Sequence, residues 1–301
     1  MKKSILQYWL IEPSVLTERS KAKYIRYILR YLLHWKYNYA WVQYLNSSCN
    51  MLFWKQKYGC DIYLKTQQSL ISNHLSVQQK YEYLTEHYDW FFEKFSAQII
   101  KNNELLLWSS QIEIDGEMKT LEMFFSYKGP FVTEGECALV LKLNGGTQYT
   151  ISFLHILQSS EAAFFIGGLQ AGTQNVTCPE LLKKMTKSLY GLRPKQFMLH
   201  AISEFAHFFN VNNLIGVSNA NHAFQGSRSK SKRARVKTNL DEFWLDFSPE
   251  LTIDGNFYFR PLLSVIDLEQ IPSKKRSQYR KRQLILDDFV QQLQSNLSAI
   301  K

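Results

Sequence analysis

By residue type, His222 is the side chain best suited to chemistry in this sequence. It closes the run Leu214-Ile215-Gly216-Val217-Ser218-Asn219-Ala220-Asn221-His222, in which a buried-looking strand gives way to a polar turn. Imidazole titrates near neutral pH and can serve as a general base. Asn219 and Asn221 tolerate the backbone angles of such a turn, and their amides could orient a substrate or the ring. Further on, the acidic-aromatic cluster Asp241-Glu242-Phe243-Trp244 offers Glu242 to hold a protonated ring and Trp244 to exclude water. A core histidine satisfied by the amides of its own turn accounts for the same residues. The two readings differ in whether function is lost with proton transfer.

Other polar groups invite a second kind of chemistry, the binding of anions. In Gly191-Leu192-Arg193-Pro194-Lys195, Gly191 supplies a turn, while Arg193 and Lys195 stand at the mouth of a helix whose free N–H groups favour negative charge. A plain helix-to-helix connection would look similar. Lys275, Arg276 and Arg280 fall in the first turns of a C-terminal helix, where cations oppose the helix dipole and call for an anion or carboxylate nearby. Asp241, Glu242 and Asp246 could supply that carboxylate from within the chain. His200, Glu204 and His207 share one helix face, but their spacing is not that of a metal motif, and they read as a solvated polar face. Gly167 to Gly172 resembles a glycine loop only loosely, and close packing of a strand against the following helix fits it as well. No metal site is expected.

The whole chain carries a formal charge of +10 over 301 residues. The cations cluster before residue 37, between Arg228 and Lys237, and between Lys274 and Arg282, which favours an anionic small molecule or lipid headgroup as partner. The loop from Gly226 to Lys237 has no apolar anchor before Val236 and is expected to be mobile until an anion is present. The four cysteines are far apart and form no Cys-x-x-Cys pair, so neither a zinc site nor a disulfide framework is indicated. Glu12 and Pro13 interrupt the apolar N-terminal run, and the longest uncharged stretch is too polar to span a bilayer. A cytoplasmic chain, with peripheral contact to the inner membrane as an option, is the expectation.

Elements to position these groups can be read from periodicity. Residues 1–105 read as helical and 106–301 as an α+β unit. In the first region Ile25, Ile28, Leu32 and Trp35 recur on one helical stripe ringed by cations. Such a helix can lie on an anionic membrane, or it can be an ordinary surface helix packing Tyr and Trp inward. From Trp108 to Leu169 the pattern alternates, and the turns Asp115-Gly116 and Asn144-Gly145-Gly146 join neighbours, giving an antiparallel meander of about five strands. Helices from Pro179 to Leu189 and Pro194 to Phe209 should cover it, and Leu286, Val290, Leu293, Leu297 and Ile300 form the seam of a C-terminal amphipathic helix.

Five motifs in order resemble the VirK/YbjX family of bacterial proteins. They are Phe165-Ile166-Gly167-Gly168-Leu169-Gln170, the Gly191 to Lys195 run, Val217 to Ala223, Asp241-x-Phe243-Trp244, and Ile271-Pro272-Ser273-Lys274-Lys275-Arg276 with Tyr279-Arg280-Lys281-Arg282. The resemblance implies a cytoplasmic factor associated with virulence, envelope integrity and resistance to cationic antimicrobial peptides, and carries no catalytic residues with it. The order of elements is also similar to the acetyltransferase-type fold. In that likeness the anionic part of an acyl carrier such as coenzyme A sits near Arg193 and Lys195, with His222 as general base. One departure is that a stretch of residues intervenes before Gly191, where that fold usually places its phosphate loop immediately after the fourth strand. A non-enzymatic module binding anionic lipid or a phosphorylated ligand is the competing class. Nucleic acid ranks last, because the basic loop lacks interleaved aromatics.

Overall fold

The computed structural model describes residues 21–47, 50–51, 54–55, 59–95, 103–127, 133–158, 160–172, 178–226, 239–247, 249–262, 269 and 271–299. The expectation for the basic loop, Gly226 to Lys237, lies outside these from residue 227 onward, as does Ile300.

Turn chemistry builds the sheet. Strands β1 (Glu104–Ile114), β2 (Glu117–Ser126), β3 (Cys137–Leu143), β4 (Gly146–Gln158) and β5 (Glu161–Ala171) pair antiparallel in chain order. Asp115 and Gly116 have φ of 56° and 79°, and Asn144 and Gly145 have 46° and 77°, the paired left-handed angles of type I′ hairpins. Helices α4 (Pro179–Ser188) and α5 (Pro194–Phe208) then carry the chain across to β6 (Asn213–Gly216), which pairs with β5 in parallel. Short strands β7 (Glu250–Leu251) and β8 (Phe257–Phe259) complete an eight-stranded sheet in the order β1-β2-β3-β4-β5-β6-β8-β7. The fold is α+β, and the sheet is antiparallel except at β5/β6. Helix α6 (Leu240–Leu245) lies between β6 and β7 in sequence.

The N-terminal helices α1 (Lys21–Leu33), α2 (Trp35–Leu45) and α3 (Val77–Lys94) precede the sheet, with a 3-10 helix at Gly59–Gln67. A capping box starts α3: Gln79 N–H donates to Ser76 Oγ at 3.1 Å and Ser76 N–H to Gln79 Oε1 at 3.0 Å. Where β3 stops opposite Phe153, α3 takes over its role. His155 N–H donates to His87 Nδ1 at 3.1 Å and Leu157 N–H to Glu86 Oε2 at 2.8 Å. The C-terminal half of α3 and helix α5 share one face of the sheet. Phe205 of α5 stacks on Phe125 with centroids 5.0 Å apart, Trp90 of α3 stacks on His155 at 5.0 Å, and both reach Phe164. The hydrophobic core runs without a break from Trp41 to Leu297.

Helix α7 (Ser273–Ser298) buries Leu286, Phe289, Leu293 and Leu297 and lies along the edge strand β1. Its polar side chains complete the strand's hydrogen bonding. Gln292 accepts from Ser109 N–H at 3.1 Å and donates to its carbonyl at 3.2 Å, Asn296 donates to Leu107 O at 3.0 Å, and Trp108 Nε1–H donates to Asp288 at 2.8 Å.

The polar-face reading of α5 fails here, while the apolar stripe of α1 faces outward. Tyr31, not the Ile25 stripe, is the inward face of α1, and Ile25, Leu29, Leu32, Leu33 and Trp35 are exposed. His200 and Glu204 are buried rather than solvated, because α7 covers the second face of α5 and packs Phe289 against His200; only His207 of the three is exposed. Local pattern reports amphipathicity but not which neighbour arrives from elsewhere in the chain.

Candidate functional site

Strand β5 follows β6 only as far as the pair Ile166–Gly216, extended by Val217 N–H donating to Ile166 O at 2.9 Å. Beyond that point β5 continues to Ala171 beside β4 alone. The two strands part where β4 and β5 are both irregular: their register shifts between Ser152 and Phe153, leaving Gly167 out of the pairing. Into this disturbance comes Glu134, on the segment leading to β3. A methyl group on Gly167 would sit 2.0 Å from Glu134 O, and one on Gly168 would sit 2.1 Å from Glu134 Oε2. The paired glycines therefore give a carboxylate access to the sheet, rather than forming a glycine loop or admitting a helix.

Glu134 is completely buried, and so, nearly, is His222. Phe224 N–H donates to His222 Nδ1 at 3.2 Å, which puts the ring hydrogen on Nε2, facing Glu134 Oε1 at 3.2 Å. Gln170 donates to the same Oε1. Both nitrogens of the neutral ring are thus engaged, and His222 has no lone pair to offer a substrate in this arrangement. Glu134 Oε2, in contrast, has no hydrogen-bond partner among the described residues. Two more buried oxygens without a partner among the described residues, Thr150 Oγ1 and Ser152 Oγ, lie on β4 directly opposite Gln170 and Gly168, hence on the same sheet face. Buried polar atoms are nearly always paired, so these three oxygens make this stretch of β4 and β5 the candidate site.

The loop that holds His222 is itself held under strain. Ile71 has φ of 47°, an angle β-branched residues rarely adopt, and Ser72 N–H turns back to Leu70 O. Ile71 N–H donates to Thr133 O at 2.8 Å, and Ala223 N–H donates to Ile71 O at 2.9 Å. One strained residue thus ties the Glu134 segment to the His222 turn. Such outliers persist where surrounding structure over-determines them, commonly at functional sites.

The asparagines serve the turn rather than the ring. Asn219 N–H donates to Asp241 at 2.7 Å, its Nδ2 to Asn239 at 2.7 Å, and its Oδ1 accepts from Leu240 N–H at 3.0 Å, fastening the turn to α6. Asn221 Nδ2 donates to Asp254 O at 2.6 Å and Asn256 Oδ1 at 3.1 Å, fastening it to the β7–β8 hairpin. Glu242 is exposed and bonds to Asn239 Nδ2 at 3.1 Å. The carboxylate beside His222 is Glu134, which sequence reasoning passed over. Its one signal was the alternation Glu134-Gly135-Glu136 just before an apolar strand.

The basic residues divide into separate groups. Gly191 has φ of 82°, and a methyl there would meet Gln278 Nε2 at 2.7 Å and Arg282 Nη2 at 2.9 Å. Arg282 donates to Tyr190 O through Nε at 3.3 Å and Nη2 at 3.1 Å, so this turn is a joint with α7. Arg193 is exposed at the N-cap of α5, where no side chain caps the helix. Lys195 lies over the Phe243 ring at 5.8 Å, and burial lowers its pKa while the Glu242 carboxylate opposes that. Arg276 donates to Ile271 O at 2.9 Å and Glu269 O at 3.4 Å, whereas Lys275 and Arg280 are exposed. Among the described residues no ion pair joins these cations to Asp241, Glu242 or Asp246, the carboxylates that could have answered them within the chain.

A second buried cluster is structural in character. Glu136 accepts from Lys65 and from Tyr88 at 2.7 Å, while Cys137 lies 3.5 Å from His87 Nε2. Burial pushes the Cys137 thiol well up and the His87 imidazole well down, so neither is primed as nucleophile or acid. No group of three or more potential metal ligands occurs among the described residues, and no helix among them is long and apolar enough to cross a membrane.

Fold and site together define an α+β protein with a carboxylate–imidazole pair buried where a parallel strand pair opens. The chain belongs to the family described as "Protein of unknown function (DUF535)", whose model matches residues 17–295. It is similar to the uncharacterized protein YbjX of Escherichia coli, 24% identical over 89% of this chain and 81% of that one. It is also similar to an uncharacterized protein of Haemophilus influenzae, 27% identical over 92% of each. These matches agree with the VirK/YbjX resemblance carried by the motifs. No solved structure matches the chain.

Proposed function

We propose that this chain is an acyltransferase-like enzyme acting in the cytoplasm on behalf of the bacterial envelope, with its centre at Glu134. The observation that carries this reading is the unpartnered, buried Glu134 Oε2 at the bulge where β5 and β6 separate. A carboxylate in that position can take the proton of an acceptor amine or hydroxyl as it attacks an acyl thioester; the C–S bond breaks, and the proton held by Glu134 passes to the departing thiolate, which restores the carboxylate. His222 fixes Oε1 and leaves Oε2 to the substrate, so it is a positioning residue and Glu134 the base. Thr150 and Ser152 would orient the acceptor, and Arg193 and Lys195 would take the anionic end of a carrier such as coenzyme A at the uncapped start of α5. The role in virulence and resistance to cationic peptides comes from the family resemblance.

The test pairs Glu134→Gln with His222→Gln. Glu134→Gln should keep the fold and the contact with His222, and should lower release of free thiol from acyl-coenzyme A by roughly a hundredfold or more. It should also fail to restore peptide resistance in a deletion strain. Full complementation by a folded Glu134→Gln variant would sink the enzyme reading.

The exposed cations Lys275 and Arg280 support a second reading, a module that binds anionic lipid or a phosphorylated ligand without turnover. Under it, charge reversal at both positions would abolish complementation and Glu134→Gln would not.

A further inference from the structure

Helix α1 presents two faces of different fate. Tyr31 is buried, and the peptide carbonyls of Arg30 and Tyr31 receive the Asn38 amide at 3.4 Å each, which ties this inner side to α2. On the outer side Ile25, Leu29, Leu32 and Leu33 fall within about a third of the helical circumference at 100° per residue. Trp35 follows after His34 at the start of α2, and these five residues are 47–75% exposed. Apolar side chains grouped in this way on a protein surface signal a site of contact.

Charge identifies what the contact is with. Between Ser20 and Cys60 the chain has seven Lys and Arg and not one Asp or Glu. Arg30 and Lys36 are exposed beside the apolar face. A second copy of α1 would bring cations against cations, whereas an anionic lipid surface answers both features. Its acyl boundary receives the leucines, its headgroups pair with Lys and Arg, and the Trp ring suits the interface between them.

We propose that α1 docks flat on an anionic membrane through Ile25, Leu29, Leu32, Leu33 and Trp35. The proposal is independent of the acyl-transfer reading, since none of these residues touches Glu134 or His222.

Flotation of the full chain with vesicles of phosphatidylglycerol and phosphatidylethanolamine tests it, with phosphatidylcholine vesicles as comparison. The wild-type chain should float with the anionic vesicles, less so as salt is raised, and not with phosphatidylcholine. Leu29→Ser with Leu33→Ser should weaken that binding by roughly tenfold or more, and Arg30→Glu with Lys36→Glu should weaken it further at low salt, all with melting temperatures near that of the parent. Failure of the wild-type chain to bind anionic vesicles overturns the proposal. So does unchanged vesicle binding by the serine variant: with a lowered melting temperature it would assign the face to residues 1–20 of the same chain, and with a change from dimer to monomer in light scattering it would assign it to a second copy.

Discussion

Removing an unpaired buried hydroxyl ordinarily costs a protein nothing, and this makes Thr150 and Ser152 informative. Thr150→Val and Ser152→Ala take away polar atoms that have no partner among the described residues, and each should raise stability by about 1 kcal/mol. If the oxygens orient an acceptor, the same variants should lose activity, so that stability and function move in opposite directions. Urea unfolding set beside the complementation assay measures both. Gly168→Ala should disable the site without that gain in stability, because its methyl would have to displace Glu134 Oε2, and we expect the sheet to stay paired. A different test concerns protons. Burial pulls His155 down to about 4, with Lys94 adding to the effect and Glu93 opposing it; burial likewise pulls His200 down to about 4. Each imidazole binds a proton more readily unfolded than folded, so the stability they contribute is full above about pH 6.5 and is lost as pH falls toward 4. His155→Phe keeps a ring on Trp90 and removes the buried Nδ1, so it should flatten the fall in melting temperature between pH 6.5 and 4.5.

The joint between α7 and β1 can be tested by one side chain. Gln292→Leu keeps the volume but strands the N–H and carbonyl of Ser109, which should cost about 1–3 kcal/mol in chemical denaturation. That joint also shows how much the sequence disclosed. Asp115-Gly116 and Asn144-Gly145 announce their hairpins because a type I′ turn demands those residues locally, and β1 to β5 follow from them. Strand β8 is three residues long and β7 two, too short for alternation to register. The centre was half visible. His222 stood out by type, but its carboxylate partner comes from Glu134, 88 positions earlier, through a contact that no local spacing encodes. Ile71 gave no sign at all, since its left-handed angle is imposed by Thr133 and Ala223 rather than chosen by its own side chain.

Whole-molecule behaviour follows from the unbroken core. Because Trp90 and Phe95 of the N-terminal region pack on Phe164 and Phe125 of the sheet, the two regions should unfold in one transition by fluorescence and circular dichroism alike. A fragment comprising residues 106–301 should expose that aromatic layer and aggregate. The covering of β1 by α7 also sets a clock on synthesis. Trp108 and Asp288 are separated by 180 positions, so at about 5–20 residues per second the ribosome leaves the outer edge of β1 bare for roughly 10–40 seconds. During that interval a finished five-stranded meander offers its Leu107 and Ser109 backbone to any passing strand, and the chain's own remedy has not yet been translated. Nascent chains arrested before Ser273 should therefore associate with one another or recruit chaperones, and chains released after Ser298 should not.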